Sequence, residues 1–416
     1  MKTATPQMAR AINDRLALDL LLEHGTLTAP QLRALTGLSR PTVSDLIERL
    51  RVNGLIAVVG ESGEDRRGPN ARVYGIVADR AHVAGVDVRR DTVDVTVADI
   101  TGRTVGSATR PLKTARPLDT ARPPKTARPL DTARPPKTAR PLDTARPPKT
   151  ARPLDTAGPL DAAGPAGAGR PPGAGRSVEP GRSGEPGDDL VTIIAGTVAE
   201  AAGHRSLHAV VVGAPGMVNP HSGELATDNG VPGWRPNLLQ SLRHRIDAPV
   251  TLENEVNLAA VAEHRIGSAR GRRDFVLLWL DDGVGAAVTL DGRLRRGASG
   301  GAGEVGTLGL RGGSFCDLVS TEFIEGLDRD SLAARIAEGA FASVAVLDPG
   351  LVVLGGETGR SGGDALAALV GERLAALSPV PTQVRPSTVE GNAILHGALL
   401  TALSIAHRDV FGEVPA

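Results

Sequence analysis

At 416 residues the chain is too long for one compact core and calls for two or three units. Its 47 Lys and Arg balance 47 Asp and Glu, so no global basic field attracts nucleic acid, and any such contact must come from a local patch. A single cysteine, Cys316, excludes an internal disulfide and a multi-cysteine zinc site, and neither an apolar signal core near Met1 nor a bilayer-length apolar run is present, so a cytoplasmic protein without membrane contact is expected.

Taken in chain order, Leu16, Leu18, Leu20 and Leu22 recur at helical spacing and predict a helix over 11–24. Thr28 then offers an N-cap, with Pro30 in the first turn and Gln31 at the third helical position, the pattern of a capping box. Leu32 and Leu35 give that short helix an apolar side and Gly37 breaks it. Ser39 is a second N-cap, with Pro41 in its first turn. Val43, Leu46, Ile47 and Leu50 form one buried stripe ending at Gly54, while Arg40, Thr42, Ser44, Asp45 and Arg49 fall on the other face. Helix, turn and helix at this spacing is the geometry that lays a second helix in the major groove; an ordinary packed helix pair is the alternative. The strands IAVVG and VYGIV around a charged loop make a hairpin, and after such a helix pair a hairpin is a wing. Arg66, Arg67 and Arg72 are placed to meet phosphate or a minor groove, although Glu61, Glu64 and Asp65 cancel much of that charge. The winged helix is assigned to residues 1–78. Its candidate DNA contacts are Ser39, Arg40, Thr42, Ser44, Arg49, Arg66 and Arg67, and its partner is a double-stranded operator.

From His82 the segments HVAGVDV, VDVTVADI and RTVGSATR alternate apolar and polar residues, predicting an antiparallel meander within 79–110. Residues 111–187 then fall into TARPLDTARPPK repeats and a Gly/Pro/Ala-rich continuation. Without aromatic residues or an apolar period, this stretch is expected to be a disordered, solvated expansion of a surface loop, dispensable for operator affinity. Strands and helices interleave through 188–416: a helix at DDLVTIIAGTVAEAA, strands LHAVVVG and PVTLEN, a helix from Glu255, strands FVLLWLDD, GAAVTL and RLRRG, a helix around 322–338, strand LVVLGG and C-terminal helices. The pattern predicts an α/β architecture.

Gly213-Ala214-Pro215-Gly216, the 229–234 segment NGVPGW, Glu253-Asn254-Glu255-Val256-Asn257, Gly303-Glu304-Val305-Gly306 and Asp348-Pro349 with Gly355-Gly356 occur in an order that resembles the ROK family of repressors and sugar kinases. The resemblance covers most of the chain outside the repeats. It implies a two-lobed actin-like, RNase H-like sugar-kinase fold behind the winged helix, with a sugar between the lobes and nucleotide beside the glycine turns. Three positions depart from the kinase pattern. Asp87-Val88-Arg89-Arg90-Asp91 stands where the family has an Asp-x-Gly-Gly-Thr turn, whose bare backbone approaches phosphate. Glu255 stands where the family's general base is Asp, and the added methylene shifts the carboxylate. Thr307 stands where many members carry a zinc-binding His, and only Cys316 remains of the cysteine cluster. With these departures, binding without turnover, and without metal or other cofactor, is the expectation.

Asn229, Asn254, Glu255 and Glu304 are the candidate effector-binding residues. Asn254 and Glu255 can alternatively serve only to cap the helix that follows, and Trp234 is expected in core packing. The expected function is a transcriptional regulator of carbohydrate metabolism, a homodimer or higher homo-oligomer, acting as a repressor under control of a sugar or sugar phosphate. The alternatives are an ATP-dependent sugar kinase carrying a DNA-binding domain, and a regulator whose cleft binds nothing.

Overall fold

The computed structural model describes residues 6–62, 71–112, 189–225 and 229–412. Arg66, Arg67 and all of the predicted insertion except Pro111 and Leu112 lie outside these residues.

The first helix, α1 (Pro6–His24), starts five residues earlier than the leucine spacing suggested. A short strand β1 (Leu27–Thr28) leads into α2 (Ala29–Thr36), where the Thr28 side chain accepts from the Gln31 backbone and Gln31 accepts from the Thr28 backbone N–H at 2.8 Å. Gly37, at φ 67°, closes the helix in the left-handed region, where the lack of a Cβ removes the steric cost. Ser39 caps α3 (Arg40–Val52), and Val43, Leu46, Ile47 and Leu50 are buried against Leu18, Leu21 and Leu32. Strands β2 (Ile56–Ser62) and β3 (Ala71–Ile76) pair antiparallel, and β1 adds to β3, giving the order β1-β3-β2. Three helices closed by such a sheet are a winged helix.

Two further sheets repeat one design. In the first, β4 (His82–Val88), β5 (Thr92–Asp99) and β6 (Thr104–Pro111) form the meander. After α4 (Leu190–Ala202), β7 (Leu207–Ala214) lies parallel to β4; after α5 (Leu238–Arg245), β8 (Val250–Asn254) lies parallel to β7. A linking helix, α6 (Glu255–Ile266), opens the second half. There β9 (Phe275–Leu280), β10 (Val284–Leu290) and β11 (Arg293–Arg295) form the meander, followed by a small hairpin of β12 (Gly309–Leu310) and β13 (Gly313–Ser314) and by α7 (Phe315–Val319) and α8 (Arg329–Leu347). Then come β14 (Leu351–Gly355), α9 (Gly356–Leu377), β15 (Gln383–Pro386) and α10 (Ala393–Phe411). The sheet orders, β6-β5-β4-β7-β8 and β11-β10-β9-β14-β15, match position for position. Leu112, placed in the insertion by composition, is buried with the first sheet's core.

The helix expected around 322–338 is displaced: 321–323 make only a 3₁₀ turn, Gly326 breaks it at φ 76°, and α8 begins where Asp328 accepts from the Ser331 N–H at 2.9 Å. Helices α6 and α10 occupy the space between the two sheets. Gly85 of β4 lets α10 close in, since a Cβ there would stand 2.7 Å from the Leu399 nitrogen, and Gly397 of α10 does the same for α6, where a Cβ would stand 1.8 Å from the Leu258 carbonyl. One hydrophobic core runs from the winged helix through both inner sheet faces, with α4 and α5 covering the outside of the first sheet and α8 and α9 that of the second.

Candidate functional site

The recognition face of α3 is assembled by its cap. Ser39 accepts from the Thr42 N–H, and the Ser39 and Thr42 hydroxyls share a hydrogen bond of 2.8 Å. Ser39, Arg40 and Ser44 are exposed beside it, at the helix end that a major groove would receive. Arg72 is exposed on β3. Arg49, expected among the DNA contacts, is held here by two carboxylates. Its guanidinium donates to both oxygens of Asp14 at 2.8 and 2.5 Å and to Asp45 at 2.6 Å, and these hydrogen bonds, with Asp14 first, hold its proton more tightly than usual. It braces α3 against α1 because Asp14 faces it across the helix pair.

A cleft of about 420 Å³ opens between the two sheet-and-helix halves, where β4, β8 and β9 end. Arg89 and Arg90 line one side, Glu255 at the first turn of α6 the base, and Asp281 and Glu304 the other side. A second recess of about 360 Å³ shares Arg89, Trp279 and Asp281 and adds Gly356, Glu357, Arg360 and Asn392. Behind both lies Asp87, fully buried near the end of β4. One of its oxygens accepts from Arg89 Nε and from Asn392 Nδ2, each at 2.8 Å, and the other has no partner among the described residues. Burial pushes Asp87 above the usual carboxylate range, and Arg89 and the Asn392 amide work against that push. The Arg89 backbone N–H donates to the Thr92 carbonyl at 2.9 Å, so the turn is an ordinary β4–β5 hairpin whose first arginine folds back over Asp87.

Burial, reinforced by the Asp87 charge, raises Glu255 from its ordinary 4.5 to about 7, with Arg89 pulling the other way. Near neutral pH its carboxyl can thus donate or accept a hydrogen bond. Glu304, at the cleft mouth, is also pushed up by desolvation. Asn254 is occupied in holding the wall together. Its side-chain oxygen caps α6 by accepting from the Asn257 N–H, and its amide donates to the Gly216 carbonyl, both at 3.0 Å. Beside it the buried Glu253 accepts from Arg296 at 2.7 Å and from Asn257 at 3.0 Å. Asn229 is not in the cleft wall. Its Cβ lies 3.4 Å from the place of a Cβ on Gly216, its oxygen accepts from the Val231 N–H, and its amide nitrogen is buried without a partner among the described residues. Trp234 packs against the first sheet's outer core.

Sequence reasoning missed Asp281, Trp279 and Asn392. Asn392 carried a signal, an Asx residue directly before the apolar run of α10, whose Leu395 N–H it caps at 3.0 Å. Asp281 and Trp279 end a buried strand and look in sequence like any strand terminus. Among the described residues no three His, Cys, Asp or Glu side chains converge as a metal would need. Thr307 donates to the Glu304 carbonyl at 2.9 Å, and Cys316 is half-buried near Gly306.

The chain thus joins a winged helix to a duplicated two-lobed α/β body with carboxylates and arginines at the cleft between its lobes. Residues 182–318 match the ROK family model, and residues 12–68 match the MarR family model. Residues 182–318 are thus similar to the ROK family, and the winged helix is similar to the MarR family. A glucokinase of Halalkalibacterium halodurans is 31% identical over 129 residues, 30% of this chain and 39% of that protein. A glucokinase of Streptomyces coelicolor is 31% identical over 117 residues, 28% of this chain and 37% of that protein. The chain thus spans about two-fifths of the length of these curated relatives. Among solved structures, a ROK family transcriptional regulator described as a homolog of the E. coli MLC protein superposes with TM-score 0.62 and 14% identity, over 97% of this chain and 99% of that one. The ROK hexokinase from Thermus thermophilus superposes with TM-score 0.52 and 20% identity, over 79% and 99%. These superpositions speak to the fold. No helix among the described residues is long and apolar enough to cross a membrane.

Proposed function

We propose that this protein is a DNA-binding transcriptional regulator, acting as a repressor of sugar-metabolism genes, in which a sugar or sugar phosphate in the ROK-type cleft controls operator binding. The observation that carries the reading is the Arg89 guanidinium folded onto Asp87. Phosphoryl transfer depends on a pre-positioned phosphate site, and here a side chain fills the turn where the ROK resemblance places bare glycine backbone. Ser39, Arg40, Thr42 and Ser44 are the proposed operator contacts on α3, with Arg66 and Arg67 of the wing proposed to reach phosphate or the minor groove. Glu255 and Glu304 are the proposed hydrogen-bonding groups for sugar hydroxyls. Asn254 shapes the wall through Gly216, and Asn229 supports that turn from behind. Operator geometry calls for a homodimer, because two recognition helices must be spaced by about one DNA turn.

Selection of duplexes from a random library with the intact protein tests the reading; enrichment of a pseudo-palindromic site supports it, and recovery of no preferred sequence overturns it. One observation favours a kinase instead: a Glu255 carboxyl near pKa 7 is suited to take a proton from a sugar hydroxyl. ATP-dependent phosphorylation of common hexoses that disappears in Glu255→Gln would establish that second reading.

A further inference from the structure

Helix α10 touches both the cleft and the winged helix. At its start, Gly391, Asn392 and Ala393 line the second recess and Ile394 lines the main cleft, while Asn392 holds Asp87 with its amide and caps the helix with its oxygen. At its end, Arg15 of α1 donates to the His407 carbonyl at 3.2 Å and to the Gly412 carbonyl at 3.0 Å, with its guanidinium 5.9 Å from the centre of the Phe411 ring. His407 stacks on Phe411 and pairs with the Ile100 carbonyl at 2.7 Å, which fixes that last turn. The 19 residues between span about 28 Å. Gly85 and Gly397 seat the helix directly against β4 and α6, and a close-packed interior transmits strain. On α1, Arg15 adjoins Asp14, which holds Arg49 of the recognition helix.

We infer that α10 is the coupling element between cleft and recognition helix: movement of Asp87 is passed through Asn392 to α10, through Arg15 to α1, and through Asp14 and Arg49 to α3. This rests on the proposed ligand control of DNA binding and names its route. A ligand that draws Asp87 or Arg89 toward the cleft pulls on the same amide that caps α10, and small shifts of packed helices are a known way to re-aim an attached module. The polar contacts run without a break from Asp87 through α10 and α1 to α3, and a double-mutant cycle tests whether they are coupled.

The experiment is hydrogen exchange on the intact protein in four forms: unaltered, Asn392→Ser, Arg15→Gln, and both. Serine keeps a capping oxygen but cannot reach Asp87; Asn392→Asp, which also caps, replaces it if the serine variant does not fold. The expected result is exchange in α1 and α3 about fivefold faster in Asn392→Ser, with no further change when Asn392→Ser is added to Arg15→Gln. Exchange in α1 and α3 that ignores Asn392→Ser while residues around Asp87 respond overturns the inference. So does the same fold-change in both Arg15 backgrounds. Neither DNA nor sugar is needed, so failure here leaves the proposed function standing, whereas failure of the duplex selection removes that function whatever the exchange shows.

Discussion

At the scale of single residues, Glu255 turns burial into a measurable pH dependence. Its folded pKa of about 7 lies above its ordinary 4.5, so between those values the native state holds a proton that the unfolded chain releases. The associated stability is complete below about 4.5 and is lost as pH rises through about 7. Thermal unfolding at pH 5 and pH 8 should show the unaltered protein losing stability with rising pH, and Glu255→Gln losing less, because the amide carries no charge to desolvate. Asp87 and Glu304 are raised in the same direction, so the comparison with the glutamine variant isolates the contribution of Glu255. Arg40 belongs to the same scale. Exposed beside the α3 cap, it should contribute to binding and little to folding: Arg40→Ala is expected to weaken binding to the selected duplex by about 1–3 kcal/mol and relax preference at one base position, at unchanged melting temperature. Unchanged affinity and preference in a titration would place the DNA contacts elsewhere.

At the scale of elements, Arg40 and Arg49 of α3 differ in their surroundings. Arg49 is held by Asp14 and Asp45, so Arg49→Ala should loosen α1 from α3 and lower stability by about 1 kcal/mol, discounted for the partial exposure of the pair. Denaturant unfolding checks this, and a melting curve unchanged in Arg49→Ala would contradict the bracing role. Both arginines sit on the polar side of one amphipathic helix, and nothing in their spacing tells them apart. The difference comes from Asp14, 35 residues away and brought alongside only when α1 packs on α3. The caps were legible for the opposite reason. Thr28 with Gln31, and Ser39 with Thr42, act within one helical turn, so sequence spacing fixes their geometry.

At the scale of the whole molecule, the cleft and the winged helix share one continuous core, and the duplicated sheets place Asp87 and Asp281 at the ends of corresponding central strands, β4 and β9. A ligand that binds only the folded state must raise stability by mass action. A thermal-shift screen with D-glucose, other hexoses and their 6-phosphates should therefore raise the melting temperature for at least one compound, by a few degrees at about a hundredfold excess over its dissociation constant. Uniformly flat melting temperatures across the set would favour a regulator whose cleft binds none of these sugars.

The winged helix and the first meander were readable from the sequence because their signals are local: caps, apolar periods and turns. The order of the glycine and carboxylate motifs carried the ROK resemblance for the same reason, since each motif is a short run whose backbone needs are written in neighbouring residues. The cleft itself was only partly legible. Asn254, Glu255 and Glu304 all line it, with both amide atoms of Asn254 bonded to α6 and Gly216, while Asn229 is not among the lining residues. Asp281, Trp279 and Asn392 enter from strand and helix ends far apart in the chain. Their convergence, the Arg89–Asp87 pairing within a buried site and the seating of α10 between β4 and α6 depend on distances that only the packed sheets set, and burial, which decides the charge on Glu255, is a property of that packing rather than of any local run of residues.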